Sequence, residues 1–211
     1  MVRAFYLVYA AICYAIFFAT FLYLVGFVGN FPFIAVTVDF AREAEPVVAV
    51  AIDIALIAVF GIQHSVMARP TFKARWTHIV PAAIERSTYV LFASLALIAL
   101  MLFWHELTAP VWTVTHPLVA AIMWVLFGLG WLIVLASTFL INHFELFGLQ
   151  QAWFAIRQKA APPPVLRQPL FYKFVRHPLY AGFFLAFWAT PAMTAGHLLL
   201  AVGLSIYMLV A

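Results

Sequence analysis

The sequence predicts an all-α protein: a polytopic transmembrane bundle of about six apolar helices plus an interfacial amphipathic helix, with the N-terminus in the cytoplasm. Three observations predict it. Hydrophobic residues make up 67% of the chain and charged residues only 9%, against about 25% charged in a soluble domain, and the mean hydropathy is +1.08. Several apolar runs approach or exceed the ~20 residues needed to cross a bilayer. Basic residues alternate from loop to loop, as they do when positive charge is retained on the inner side. The apolar/polar alternation of an outer-membrane barrel is absent.

The apolar runs lie near residues 4–28, 46–68, 86–105, 117–141, 178–194 and 196–211. The first is long enough to span, and no small-residue cleavage site clearly ends it, so it reads as a helix and not as a signal peptide. It contains the sole cysteine, Cys13, which excludes an intrachain disulfide and a Cys-rich metal site. The fifth and sixth runs are separated by Thr194, Ala195 and Gly196 and read as a tight helical hairpin. Pro191 then lies near the turn, where a missing N–H costs little. Between the fourth and fifth runs, "NHFELFGLQQAWFAIRQK" (142–159) places Phe144, Phe147, Trp153, Phe154 and Ile156 at helical spacing. It reads as an amphipathic helix lying in the interface. "AAPPPVLRQP" (160–169) reads as stiff, extended linker, and no internal repeat is evident. Residues 1–211 form a single integral membrane domain on this reading.

The loops set the topology. Arg3 precedes the first helix. The 29–45 loop sets Arg42 against Asp39, Glu43 and Glu45, whereas the 69–86 loop carries Arg69, Lys73, Arg75 and Arg86. The 106–116 loop has no Lys or Arg, and the 142–177 segment carries Arg157, Lys159, Arg167, Lys173 and Arg176. The N-terminus, the 69–86 loop and the 142–177 segment therefore belong in the cytoplasm. The net charge of +4 follows from the same rule and points to no nucleic-acid partner.

Ionisable groups are costly in a membrane, so each is a functional hypothesis. Three polar clusters fall on the predicted cytoplasmic side. In "GIQHSVMARP" (61–70), His64 either emerges into the headgroups near a helix C-terminus or faces the bundle as a proton acceptor. In "NHFELFGLQQ" (142–151), Asn142 and Glu145 share a helix face, with His143 directed elsewhere, toward Phe147. Asn142 as a helix cap is the plain alternative, but a carboxylate between Phe144 and Leu146 needs a cation or donors. In "VRHPLYAG" (175–182), Pro178 suits the first turn of a helix. His177 then stands near its N-cap, Arg176 just outside, and Gly182 permits close approach. Such an N-terminus suits a carboxylate or phosphate; Arg176 and Tyr180 alone also fit an interface belt. Asp53 falls in the outer half of the second run. Trp104, His105, Glu106, His116 and His197 fall on the outer face and read as interface polarity, since their spacing matches no metal or haem motif.

"RHPLYAG" matches the Arg-His-Pro-x-Tyr-x-Gly signature of the isoprenylcysteine carboxyl methyltransferase-like superfamily of membrane methyltransferases. "FGIQHSVMARPTFK" (60–73) resembles the related NnrU-like proteins. "LINHFELFGLQQ" (140–151) with "FYKFVRHPLYAGFFLAFWATPAMT" (171–194) is most similar to the bacterial methanethiol S-methyltransferases. The resemblance covers roughly residues 55–211. It implies a bacterial inner-membrane enzyme whose active site faces the cytoplasm. It implies S-adenosyl-L-methionine as methyl donor, bound by Arg176, His177, Pro178, Tyr180 and Gly182. It also implies methyl transfer to a small volatile thiol, methanethiol, giving dimethyl sulfide. Relatives continue with a Glu- and Arg-rich cytoplasmic segment that closes the cofactor site, so such a segment is expected beyond residue 211.

Methyl transfer is an in-line displacement, and the thiol reacts as thiolate. Even a Cys thiol, with a pKa of about 8.5, is mostly protonated at neutral pH, so a base is useful. His64 and His143 have suitable intrinsic basicity; Glu145, with Asn142, is placed to orient such a histidine. One alternative is a sibling methyltransferase acting on a larger lipid or prenylated thiol or carboxylate. Another is a non-enzymatic protein binding haem or quinone through His64, His143 or His105.

Overall fold

The computed structural model describes residues 2–159 and 177–210. Within them the order is α1 (Val2–Val28), α2 (Pro46–Ala68), α3 (Pro70–Trp76), α4 (Ala82–Leu102), β1 (Pro110–Thr113), α5 (Pro117–Ile141), α6 (His143–Leu146), α7 (Leu149–Ile156), α8 (Pro178–Trp188), β2 (Ala192–Thr194) and α9 (Ala195–Val210). Prolines open α2, α3, α5 and α8. At the first helical position the missing N–H would have had no partner anyway, and the fixed φ is already helical. The Glu45 carboxylate caps α2 by accepting from the amides of Val47 and Val48.

Helices α1, α2, α4 and α5 contain 27, 23, 21 and 25 residues and are long and apolar enough to cross a membrane. The two C-terminal helices are shorter. The expected fifth span at 178–194 is corrected: α8 stops after 11 residues, about 16 Å of rise and roughly half a bilayer's hydrocarbon core. The chain continues extended, and its backbone groups need protein partners where water is scarce. The 106–116 connection, read as plain loop, supplies them. β1 pairs antiparallel with β2, the Val114 amide donates to the Pro191 carbonyl, and the Trp112 indole donates to the Thr190 carbonyl at 3.0 Å. Pro191, which has no N–H to offer, lies in this extended connection.

The amphipathic helix expected at 142–159 is also corrected. It breaks at Gly148, whose φ of 87° favours glycine. A Cβ there would stand 2.3 Å from Ser87 Oγ. The break yields the short α6 and then α7, which packs against α1 and α4 instead of lying alone in the interface. α4 begins at Ala82, a turn earlier than the 86–105 run suggested, and α3 is tied to it by Lys73 Nζ, 3.1 Å from Glu85 Oε2.

Helices α5 and α8 meet backbone to backbone at Gly130 and Gly182. A Cβ on Gly130 would lie 2.6 Å from the Ala186 nitrogen, and one on Gly182 would lie 2.8 Å from the Gly130 oxygen. The main core, with Phe27, Leu100, Trp104, Phe127 and Leu200, fills the half of the bundle nearest the β1–β2 pair. Two residues expected in the outer interface are interior instead: Trp104 and His197 are 0% and 1% exposed. Asp53 is fully buried, and its Oδ1 accepts from the His105 amide at 2.9 Å. Glu106 Oε2 accepts from the Ala41 amide at 2.9 Å. Burial pushes the Asp39 carboxyl up from its ordinary value, against the Thr194 hydroxyl that donates to it. The Asp39–Thr194 and Glu106–Ala41 contacts fasten the 29–45 loop over the β1–β2 end.

Candidate active site

The opposite half of the bundle is hollow. A cavity of about 470 Å³ lies among α1, α2, α4, α5, α8 and α9, with α6 at one side. That volume falls within the range of small-molecule sites, roughly 300–1,000 Å³. Its floor is apolar and buried: Phe187 is 3% and Leu204 5% exposed. Its mouth reaches the surface at His177, the exposed residue preceding α8. The wall is mainly aromatic and aliphatic, and the polar side chains concentrate toward the ends of α2, α4 and α5 that carry α3 and α6.

His143 opens α6 immediately after the long α5, and its position is fixed from three sides. The ring stacks on Phe139 at 4.0 Å and 3°. Nδ1 is 2.8 Å from Thr138 Oγ1, and Nε2 is 2.8 Å from the Tyr14 hydroxyl. The Thr138 hydroxyl donates its proton to the Leu135 carbonyl at 2.7 Å. Its oxygen is therefore the acceptor toward His143, which places a proton on Nδ1 and leaves Nε2 with the lone pair. Burial pushes the imidazole's pKa down from its ordinary value, so the ring is neutral at neutral pH.

Asn142 and Glu145 are brought together, but around the turn and not around the imidazole. Asn142 caps α6 by accepting from the Glu145 amide at 3.4 Å, and its Nδ2 donates to Glu145 Oε2 at 2.7 Å and Gln150 Oε1 at 2.9 Å. Thr138, not Glu145, orients His143. Neither Asn142 nor Glu145 lines the cavity.

His64 lines the same cavity from α2. The Tyr89 hydroxyl is 3.1 Å from its Nδ1 and 3.0 Å from its Nε2, a contact that leaves the tautomer unfixed. Its ring stacks on Phe60, with centroids 5.5 Å apart, and faces Tyr207 edge-on at 6.3 Å. Tyr207 in turn shares a 3.1 Å hydrogen bond with Ser65.

At the mouth, Pro178 opens α8 and His177 precedes it as the N-cap residue. The His177 and Tyr180 rings stack at 5.3 Å and 21°, and both line the cavity. Pro178 and Gly182 do not line it; Gly182 is the contact to α5. Arg176 lies outside the described residues. The structure thus gathers His64, His143, His177 and Tyr180 around one hollow. Thr138, Arg86 and Tyr89 line it as well, and Tyr14 reaches His143 from outside the lining; the sequence marks none of the four as a site residue. Arg86 and Tyr89 stand three apart near the start of α4, a same-face spacing that was available as a signal. Tyr14 and Thr138 are single polar residues inside apolar runs and gave none.

No family model matches this chain, and no solved structure matches it. Curated proteins do. Methanethiol S-methyltransferase of Crocosphaera subtropica is 48% identical over 209 residues, covering 99% of this chain and 82% of that protein. Methanethiol S-methyltransferase of Mycobacterium tuberculosis is 49% identical over 211 residues, covering 100% of this chain and 86% of that one. Nurim of Xenopus laevis is more distant, 28% identical over 181 residues, covering 79% and 61%. Nearly half of all positions are shared along the whole chain, and that extent places it: the chain belongs to the methanethiol S-methyltransferase family.

Proposed function

We propose that this protein transfers a methyl group from S-adenosyl-L-methionine to methanethiol, releasing dimethyl sulfide. The observation that carries this reading is the cavity itself, a hollow of about 470 Å³ with an apolar floor, aromatic walls and polar groups gathered at its mouth. A sulfonium suits aromatic faces, where cation–π attraction contributes roughly 0.5–2 kcal/mol. The stacked His177–Tyr180 pair offers such faces at the mouth, and Arg86 adds a cation for a carboxylate. The residues present therefore fit the donor. S-adenosyl-L-methionine, when bound, supplies the electrophilic sulfonium methyl.

The protein's residues do the rest. The apolar floor takes a small thiol and excludes water from it. Nε2 of His143 receives the thiol proton, in exchange for the hydrogen bond from Tyr14, and Nδ1–H stays on Thr138. His64 lines the same cavity and is the other candidate acceptor. Such a base typically contributes ~10²–10⁴-fold. Asn142 and Glu145 brace the turn that presents His143. Pro178 opens α8, Gly182 seats it against α5, and His177 stands at the entrance. Holding the two reactants in line contributes on the order of 7–11 kcal/mol.

The same reading puts the protein in a bacterial inner membrane with its N-terminus and cavity mouth toward the cytoplasm. Its support is the clustering of Arg69, Lys73, Arg75 and Arg86 at the mouth end of the bundle. The test is direct. Purified protein in nanodiscs, given S-adenosyl-L-methionine and methanethiol, is expected to release dimethyl sulfide into the headspace with stoichiometric S-adenosylhomocysteine. No product above a heat-inactivated control would overturn the reading. Faster turnover of a prenylated thiol would move it to the sibling lipid methyltransferases.

A further inference from the structure

Arg86 enters the sequence reading only as a loop charge that sets topology. In the structure its side chain lines the cavity. It stands one turn into α4 (Ala82–Leu102), near the helix end whose dipole disfavours a cation. The adjacent Glu85 does not offset it: that carboxylate is 3.1 Å from Lys73 Nζ, and adjacent helical positions face different ways. Among the described residues, no carboxylate lies within ion-pair distance of Arg86.

Two contacts fix the guanidinium instead. Nε donates to the Leu146 carbonyl at 2.9 Å, and Cζ lies 5.1 Å from the centroid of the Tyr89 ring. The first ties it to the turn that presents His143. The second ties it to the phenol that meets His64. Of five N–H donors, one is committed to Leu146. Arg86 is half-buried at the edge of a largely apolar wall, and a cation there with donors to spare is better satisfied when an anion meets it. A pre-oriented planar fork suits a carboxylate through two parallel N–H···O bonds.

We propose that Arg86 anchors the carboxylate of the methyl donor's amino-acid moiety. The assignment rests on the methyl-donor reading above and adds the residue that recognises the donor's negative end. It stands on Arg86's own contacts and requires nothing of Arg176.

The experiment is calorimetric binding, without thiol, of S-adenosyl-L-methionine and of its decarboxylated analogue to the full chain and to R86Q and R86K. The wild type is expected to prefer the carboxylate-bearing donor by about ten- to a hundredfold, the usual size of a charge-assisted hydrogen bond's contribution. In R86Q the two dissociation constants should converge, through weaker binding of the carboxylate-bearing donor alone. R86K, which keeps the charge but not the fork, should give an intermediate ratio. Equal binding of both ligands by the wild type would overturn the assignment, as would a loss in R86Q shared by both. Should R86Q not fold, an R86K ratio unchanged from the wild type overturns it and a reduced one supports it. Failure of the wild type to bind either ligand overturns the methyl-donor reading itself, a result distinct from equal binding.

Discussion

Nδ1 of His143 donates to the Thr138 hydroxyl at 2.8 Å, and this bond decides which ring nitrogen can take a proton. With Thr138 already donating to the Leu135 carbonyl, the ring is held with its lone pair at Nε2. Replacing Thr138 by Val keeps the shape but removes the acceptor. The tautomer is then no longer pinned, and the expected loss in kcat is about two- to tenfold, the worth of one hydrogen bond. Thr138→Ser restores the acceptor and should restore activity. If Ser proves as poor as Val, the position matters only for packing, and the tautomer argument fails.

With His143 as the proposed proton acceptor, activity is expected to depend on pH through this ring. Burial lowers the His143 pKa below the ordinary imidazole value of 6.5. The ring therefore remains neutral, and able to accept a proton, at pH values where a free imidazole is already charged. Activity should be level at neutral pH and decline on acidification only below 6.5, through the folded pKa. Over that same window the unfolded chain binds the proton and the folded one does not, so stability falls with the pH. His143→Ala should cost ~10²–10⁴-fold and abolish the acid limb, whereas His64→Ala should retain it. A limb lost only in the His64 variant reassigns the proton to His64. A limb that survives in both removes histidine from the chemistry.

The long spans were legible because lipid imposes one simple demand, a continuous apolar run, and α1, α2 and α5 meet it almost residue for residue. The signature around Pro178 was legible because a proline fixes where a helix starts. What escaped was tertiary. An apolar stretch from 178 to 194 looks the same whether it is one span or a half-helix followed by a strand. The choice was made by β1, about eighty residues earlier, offering hydrogen-bond partners to the stretch around Pro191. Gly148 was visible in the sequence, but its break follows from Ser87 pressing on it from α4. Tyr14 and Thr138 carry no periodic signal, because a single hydroxyl in an apolar helix gains meaning only from its partner across the bundle.

Tyr180 tests the entrance. Its ring stacks with His177 at 5.3 Å on the wall assigned to the sulfonium. Tyr180→Ala removes a π-face worth roughly 0.5–2 kcal/mol, so donor affinity measured calorimetrically should fall about two- to thirtyfold. Tyr180→Phe keeps the face and should bind as the wild type does. A Phe variant as weak as the Ala variant would show that the hydroxyl, not the ring, matters here.

Gly130 and Gly182 offer a test of how the cavity is kept in shape. Each is the other's neighbour: a Cβ on Gly130 would stand 2.8 Å from the Gly182 oxygen, and one on Gly182 would stand 2.8 Å from the Gly130 oxygen. Those obstacles are backbone atoms in two helices, not the tips of flexible side chains, so relief requires α8 to move away from α5. Overpacking of this kind costs typically 1–3 kcal/mol. Gly130→Ala and Gly182→Ala should each lower the thermal midpoint in detergent. Because either substitution alone already separates the helices, the double variant should lose less than the sum of the two, as coupled neighbours do. Gly128 supplies the control, since a Cβ there meets nothing within 4 Å, and Gly128→Ala should hold the midpoint or raise it slightly, as Ala does in place of an unobstructed helical Gly. Moving α8 also moves Tyr180 and His177 at the mouth, so donor binding should weaken in the Gly130 and Gly182 variants even at temperatures where they remain folded. Midpoints that fall additively, with binding intact, would mean the two glycines act separately and the α5–α8 contact does not position the entrance.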